Sequence, residues 1–173
     1  MQVVELARTF PDYAKDLRLN MSSLMNETLL SEQQKLGTLL ACAHATGVAP
    51  LIAAAEADAA AALSPEAVTA AKAAASIMAM NNVYYRFTHL ASNPEYQKMP
   101  ARLRMNVIGA PGIEKADFEL FSLAVSAING CGACVDSHEK VLLQHGVKPE
   151  AIQAAVRLAS VVQAVGATLR ATV

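Results

Sequence analysis

The chain has 173 residues, enough for one sizeable domain or two small fused units that bury most of their unfolded surface without disulfide staples. Its 14 Lys and Arg against 15 Asp and Glu leave a net charge of -1 spread along the length, which excludes the basic footprint that nucleic acid or an anionic membrane demands. Alanine, about a fifth of the residues, inflates the 54% hydrophobic share, so this composition signals helices.

At the N-terminus, MQVVELARTF has no basic region followed by an apolar run and places Glu5 where such a run would lie, so it shows no secretory signal and predicts a cytoplasmic protein. Ser31 with Gln34 forms a capping box that opens a helix. Leu36 to Ala55 is uncharged and of membrane length, but it is dominated by alanine and carries His44, Thr46, Gly47 and Pro50, which excludes a span there. Within LLACAHA, Cys42 reads as a buried structural thiol and His44 as a packed or capping side chain. Ser64 and Pro65 supply the cap and first position of another helix. His89, with NNVYYRF, reads as interhelix packing in preference to a pocket wall.

The stretch SNPEYQKMP predicts irregular chain, Arg102 and Arg104 a solvated or interface face, and GAPG a turn. FELFSLAVSAI then places Phe118, Phe121, Val125 and Ile128 on one helical stripe and Glu119, Ser122 and Ser126 on a polar one. Asn129-Gly130 breaks that helix, and a new one begins inside CGAC. It ends at His145-Gly146 before Pro149 opens the last. Alternating β-branched runs are nearly absent, so the fold class is all-α, with about eight to ten helices of ordinary length.

PEAVTAAKAAAS at 65–76 recurs as PEAIQAAVRLAS at 149–160, a gapless shift of 84. The same shift pairs Leu36, Thr38, Leu39 and Ala43 with Leu120, Ser122, Leu123 and Ala127. A single domain over 1–173 is therefore expected to contain two duplicated helical units, 31–80 as a scaffold copy and 115–164 as a catalytic copy, because the shift places Cys131 on Gly47 and Cys134 on Pro50.

The chemistry concentrates in INGCGACVDSHEK. In a reducing compartment a Cys-x-x-Cys is catalytic, redox-active or metal-binding more often than a structural disulfide. Cysteines three apart in a first turn can close a disulfide, and the helix N-terminus stabilises a thiolate. His138 is four positions after Cys134, close enough to take its proton. Glu119 on the preceding helix can reach His138 if the two helices return antiparallel with modest tilt. A helix dipole favours Cys131 as the attacking thiol, but a positioned base contributes more than a surface dipole, which assigns attack to Cys134 and resolution to Cys131. A zinc module remains an alternative, although Cys-x2-Cys-x3-His supplies only three local ligands. Haem attachment needs histidine where Val135 stands, and thioredoxin-type placement needs a preceding strand.

PGIEKADFELFSLAVSAINGCGACVDSHEKVL, with YAKDLRLN, MNNVYYR and RLRMNVI, resembles the alkyl hydroperoxide reductase D family of the carboxymuconolactone decarboxylase-like superfamily. Glu119-x11-Cys131-x2-Cys134-x3-His138 matches that family's motif. The resemblance implies an all-α homotrimer with lipoyl-dependent peroxidase activity and no bound cofactor or metal. Cys134 would become a sulfenic acid, Cys131 would resolve it and donate a proton, and Glu119 and His138 would relay protons. Implied partners are an organic hydroperoxide, a dihydrolipoyl acyltransferase-type donor and an alkyl hydroperoxide reductase C peroxiredoxin. The chain departs from the family at Ala133, where histidine is frequent. A general protein disulfide reductase is the alternative within redox chemistry, and a cysteine-independent decarboxylase is one outside it.

Overall fold

The computed structural model describes residues 1–172. Among them are nine α-helices and no strand: α1 Gln2–Arg8, α2 Lys15–Met25, α3 Glu32–Thr46, α4 Ala49–Ala62, α5 Pro65–Leu90, α6 Glu95–Lys98, α7 Lys115–Ile128, α8 Gly132–Gln144 and α9 Pro149–Ala171. The starts follow local chemistry. Ser31 and Gln34 close a reciprocal capping box on α3, the Ser64 hydroxyl accepts from Ala67 N on α5, and proline occupies the first turns of α5 and α9.

Helix α3 is the axis of the core, packed against α4, α5, α7 and α9. Residues Leu36 through Ala43 are all buried there, so α3 has no solvent face over two turns. Close approach is possible because Gly37 faces Phe121 of α7: a Cβ at Gly37 would lie 2.1 Å from the ring. Leu39, Leu40, Phe118, Phe121, Leu158 and Val162 fill the main core, and Leu120, Leu123, Leu142 and Ile152 form a smaller one under α8 and α9. A long-range contact fixes the N-terminus. Asp58 on α4 accepts from Gln2 N at 2.7 Å and Val3 N at 2.9 Å, capping α1 with a carboxylate from another helix.

Three outcomes bear on the sequence reading. The uncharged stretch Leu36 to Ala55 is broken by Gly47, in the left-handed conformation at φ 68°, into α3 and α4. Helix α9 is long and apolar enough to cross a membrane, but 50% of its most apolar window is buried inside the fold, as in a core helix. SNPEYQKMP is not wholly irregular: Pro94 presets a helical φ, Asn93 Oδ1 accepts from Glu95 N, and Lys98 pairs with Glu95 in the one turn of α6. One turn is too short to show periodicity.

Candidate active site

The site is built where α7 turns into α8. Helix α7 ends at Asn129, and Gly130 follows at φ 68°, a conformation that glycine adopts without penalty. Cys131 then serves as N-cap of α8, with its carbonyl accepting from Cys134 N and Val135 N. Cys131 and Cys134 form a disulfide with Cα atoms 5.3 Å apart. A brace from α5 holds the turn from behind. The buried Asn82 donates to Ser126 Oγ at 2.9 Å and accepts from Asn129 Nδ2 at 2.9 Å, while Arg86 donates to the Asn129 carbonyl. Ser122 is buried on the same helix, and its hydroxyl makes no hydrogen bond among the described residues.

The two sulfurs occupy different environments. Cys131 is fully buried, whereas Cys134 keeps 6% exposure and lines a cavity of about 530 Å³ together with His138, Glu119 and Lys115. Met78, Tyr85, Met105, Ile108 and Val141 give that cavity a largely apolar wall. His89 also lines it, which corrects the packing assignment: at the end of α5 this side chain borders the concavity, while Phe87 on the same turns packs against Tyr96 of α6.

Helices α7 and α8 pack against each other, and Glu119 reaches His138 across that return. Glu119 Oε2 lies 2.5 Å from His138 Nδ1, with both side chains buried. The second oxygen, Oε1, is 2.6 Å from Lys115 Nζ, one turn earlier on α7. Burial works against charge on Glu119, but hydrogen bonds from His138 and Lys115 outweigh it and hold the carboxyl below the ordinary glutamate range. An ionised Glu119 accepts a hydrogen bond from Nδ1–H, and the other ring nitrogen, Nε2, lies 3.2 Å from Met78 Sδ. The arrangement can move a proton between the cavity and a buried carboxylate beside a dithiol that closes on itself.

The remaining candidates take other roles. Cys42 is fully buried and unpaired, and burial pushes its thiol far above the ordinary cysteine range. His44 lies 3.2 Å from Glu56 on α4, which Lys72 also pairs at 2.6 Å. His145 caps α8, its Nδ1 2.9 Å from the Val141 carbonyl, and Arg102 and Arg104 are exposed. For the zinc alternative, no group of three or more His, Cys, Asp or Glu side chains among the described residues is arranged to hold a metal ion. Lys115 and Met78 escaped the sequence reading. The four-residue spacing from Lys115 to Glu119 was a visible signal, but Met78 approaches from 60 positions away and left none.

Comparison with known proteins agrees with this geometry. The Carboxymuconolactone decarboxylase family model matches residues 94–172, the part that carries Glu119, both motif cysteines and His138. Proteins named alkyl hydroperoxide reductase AhpD are similar over almost the whole chain. The one from Rhizorhabdus wittichii is 64% identical over 99% of both chains, and that from Hyphomonas neptunium is 63% identical over 99% of this chain and 95% of its own. The one from Maricaulis maris is 58% identical over 99% of both. The resemblance carried by the cysteine motif thus extends from end to end, and the chain belongs to the alkyl hydroperoxide reductase AhpD family.

Proposed function

We propose that the chain is a peroxidase that reduces alkyl hydroperoxides through Cys134. The observation that carries this reading is the cavity in which Cys134, and not Cys131, stands beside the His138–Glu119 pair. His138 Nε2 accepts the Cys134 proton. The thiolate attacks the terminal peroxide oxygen, forming a sulfenic acid and releasing the alcohol, whose oxygen takes the proton back from His138. Cys131 condenses with the sulfenic acid, water leaves, and the disulfide is the oxidised product. A dihydrolipoyl group on a partner then reduces the disulfide and becomes lipoyl. Cysteines this recessed suit a slender arm entering the cavity, which favours such a donor over the disulfide of a folded protein and disfavours a general protein disulfide reductase.

The family membership also supports an alkyl hydroperoxide reductase C peroxiredoxin as a second partner, a homotrimeric assembly and a cytoplasmic location. No resident metal or cofactor takes part in this cycle. The test is a thiol count under denaturation before and after one equivalent of cumene hydroperoxide. Loss of two thiols per chain with formation of the alcohol is expected, and an unchanged count would overturn the reading. His138→Ala should slow the step by about 10² or more at pH 7 and recover partly at higher pH, where the thiolate forms unaided.

A further inference from the structure

Glu119 alone would work against the base it orients. A buried carboxylate 2.5 Å from Nδ1 stabilises the imidazolium, and an imidazolium has no lone pair with which to take a proton from Cys134. The structure places a counter-charge on the other side of the same carboxylate. Lys115 Nζ lies 2.6 Å from Glu119 Oε1 and donates to the Ile108 carbonyl at 2.5 Å. Its side chain is 33% exposed against 3% for Glu119, so the ammonium sits at the solvent end of a chain that runs inward to His138. Ile108 and Lys115 both line the cavity, so the bond to the carbonyl also ties the charge to the cavity wall.

We infer that Lys115 is a positioning residue for the peroxidase step: by pairing with Glu119 Oε1 it leaves Oε2 to orient the ring through Nδ1–H without forcing the ring into its charged form, so that Nε2 stays free to accept the Cys134 proton. The other titratable groups lining the cavity are Cys134 on α8 and Tyr85 and His89 on α5, while the α5 side chain nearest Nε2 is the uncharged Met78. Lys115 is therefore the cation that offsets the Glu119 charge. Its removal exposes the imidazole to the full field of the carboxylate, because a charge at ion-pair distance in a partly buried site is only weakly screened.

The inference rests on the peroxidase reading, and its test separates the two. Lys115→Met removes charge and donor, Lys115→Gln keeps a donor without charge, and Lys115→Arg restores the charge. Two readouts are needed: the rate of single-turnover disulfide formation with cumene hydroperoxide across pH 5 to 9, and the ring ¹⁵N signature of His138 in the disulfide form at pH 7. Lys115→Met and Lys115→Gln should move the acid limb of the pH–rate profile upward by about one pH unit, slow the reaction by up to about tenfold at pH 7, and shift the ring signature toward imidazolium. Lys115→Arg should return both toward the wild type. If Lys115→Met fails to fold, Lys115→Gln carries the same comparison. An unmoved acid limb, or a pH-independent loss of rate with an unchanged ring signature, would overturn the role. The ring signature needs no peroxide, so a wild type that fails to consume hydroperoxide would defeat the function and still leave the Lys115 pairing measurable.

Discussion

Cys131 and Cys134 have the same intrinsic chemistry and differ in what surrounds them: one caps α8 out of reach of solvent, the other opens onto the cavity with His138. With peroxide, Cys131→Ser should still react and accumulate a sulfenic acid that dimedone traps, whereas Cys134→Ser should give no burst. The reverse pattern would exchange their roles and make His138 a structural partner. Glu119 leads to a prediction about stability. Its folded carboxyl is held below the ordinary value of about 4.3, so it adds stability above that pH and loses it as pH falls through the lowered folded value. Glu119→Gln should accordingly show a shallower fall in melting temperature below about pH 4 than the wild type, and equal slopes would remove the assignment. Much of this was legible in the linear chain, because Cys131, Cys134 and His138 lie within one local stretch and Glu119 lies one helix earlier. Lys115 was overlooked because a Lys and Glu four apart on a helix look the same whether they face solvent or a buried histidine. His89 was misplaced because chain-local spacing does not say what covers the end of a long helix.

Along the elements, the crossing of α3 and α7 has a notable regularity. Gln33 Nε2 donates to Asp117 at 2.6 Å, and Gly37 faces Phe121, so residues separated by 84 positions touch one another at two successive turns. A two-fold axis between two copies of one unit demands such self-pairing. Pro65 and Pro149, also separated by that shift, both open helices. We propose that residues 31–80 and 115–164 are duplicated units, α3 with the start of α5 corresponding to α7 with the start of α9. Superposing the two units tests it, and different crossing angles would count against it. The close approach leads to a further prediction. Gly37→Ala forces its new methyl into a fully buried ring and should destabilise the fold by about 1 to 3 kcal/mol in thermal or urea unfolding, with Phe121→Leu restoring part of the loss. A neutral Gly37→Ala would mean that α3 and α7 can separate freely. Caps and glycines made the helix starts readable in advance. The extension of α5 to Leu90 and the carboxylate cap on α1 were not, since each depends on partners distant in sequence.

For the molecule as a whole, an apolar stripe on α5 stands out among the exposed side chains. Val83, Phe87 and Leu90 follow one another along α5 at 59%, 49% and 77% exposure, and Tyr96 and Met99 continue the patch, with the Phe87 and Tyr96 rings 5.0 Å apart. A patch of that kind suits burial between subunits and supports the proposed homotrimer. Leu90→Glu should lower the mass seen by light scattering at micromolar concentration while leaving the circular dichroism unchanged. A wild type already monomeric, or a mutant still trimeric, would send the interface elsewhere. The brace of Asn82 and Asn129 behind the cysteine turn has a different consequence. The backbone that carries the sulfurs is anchored through groups that do not change with oxidation, and the ring closed by the S–S bond spans only the short stretch from Cys131 to Cys134. Under the proposed cycle, oxidation should therefore demand little conformational work, with the polypeptide staying still while electrons come and go.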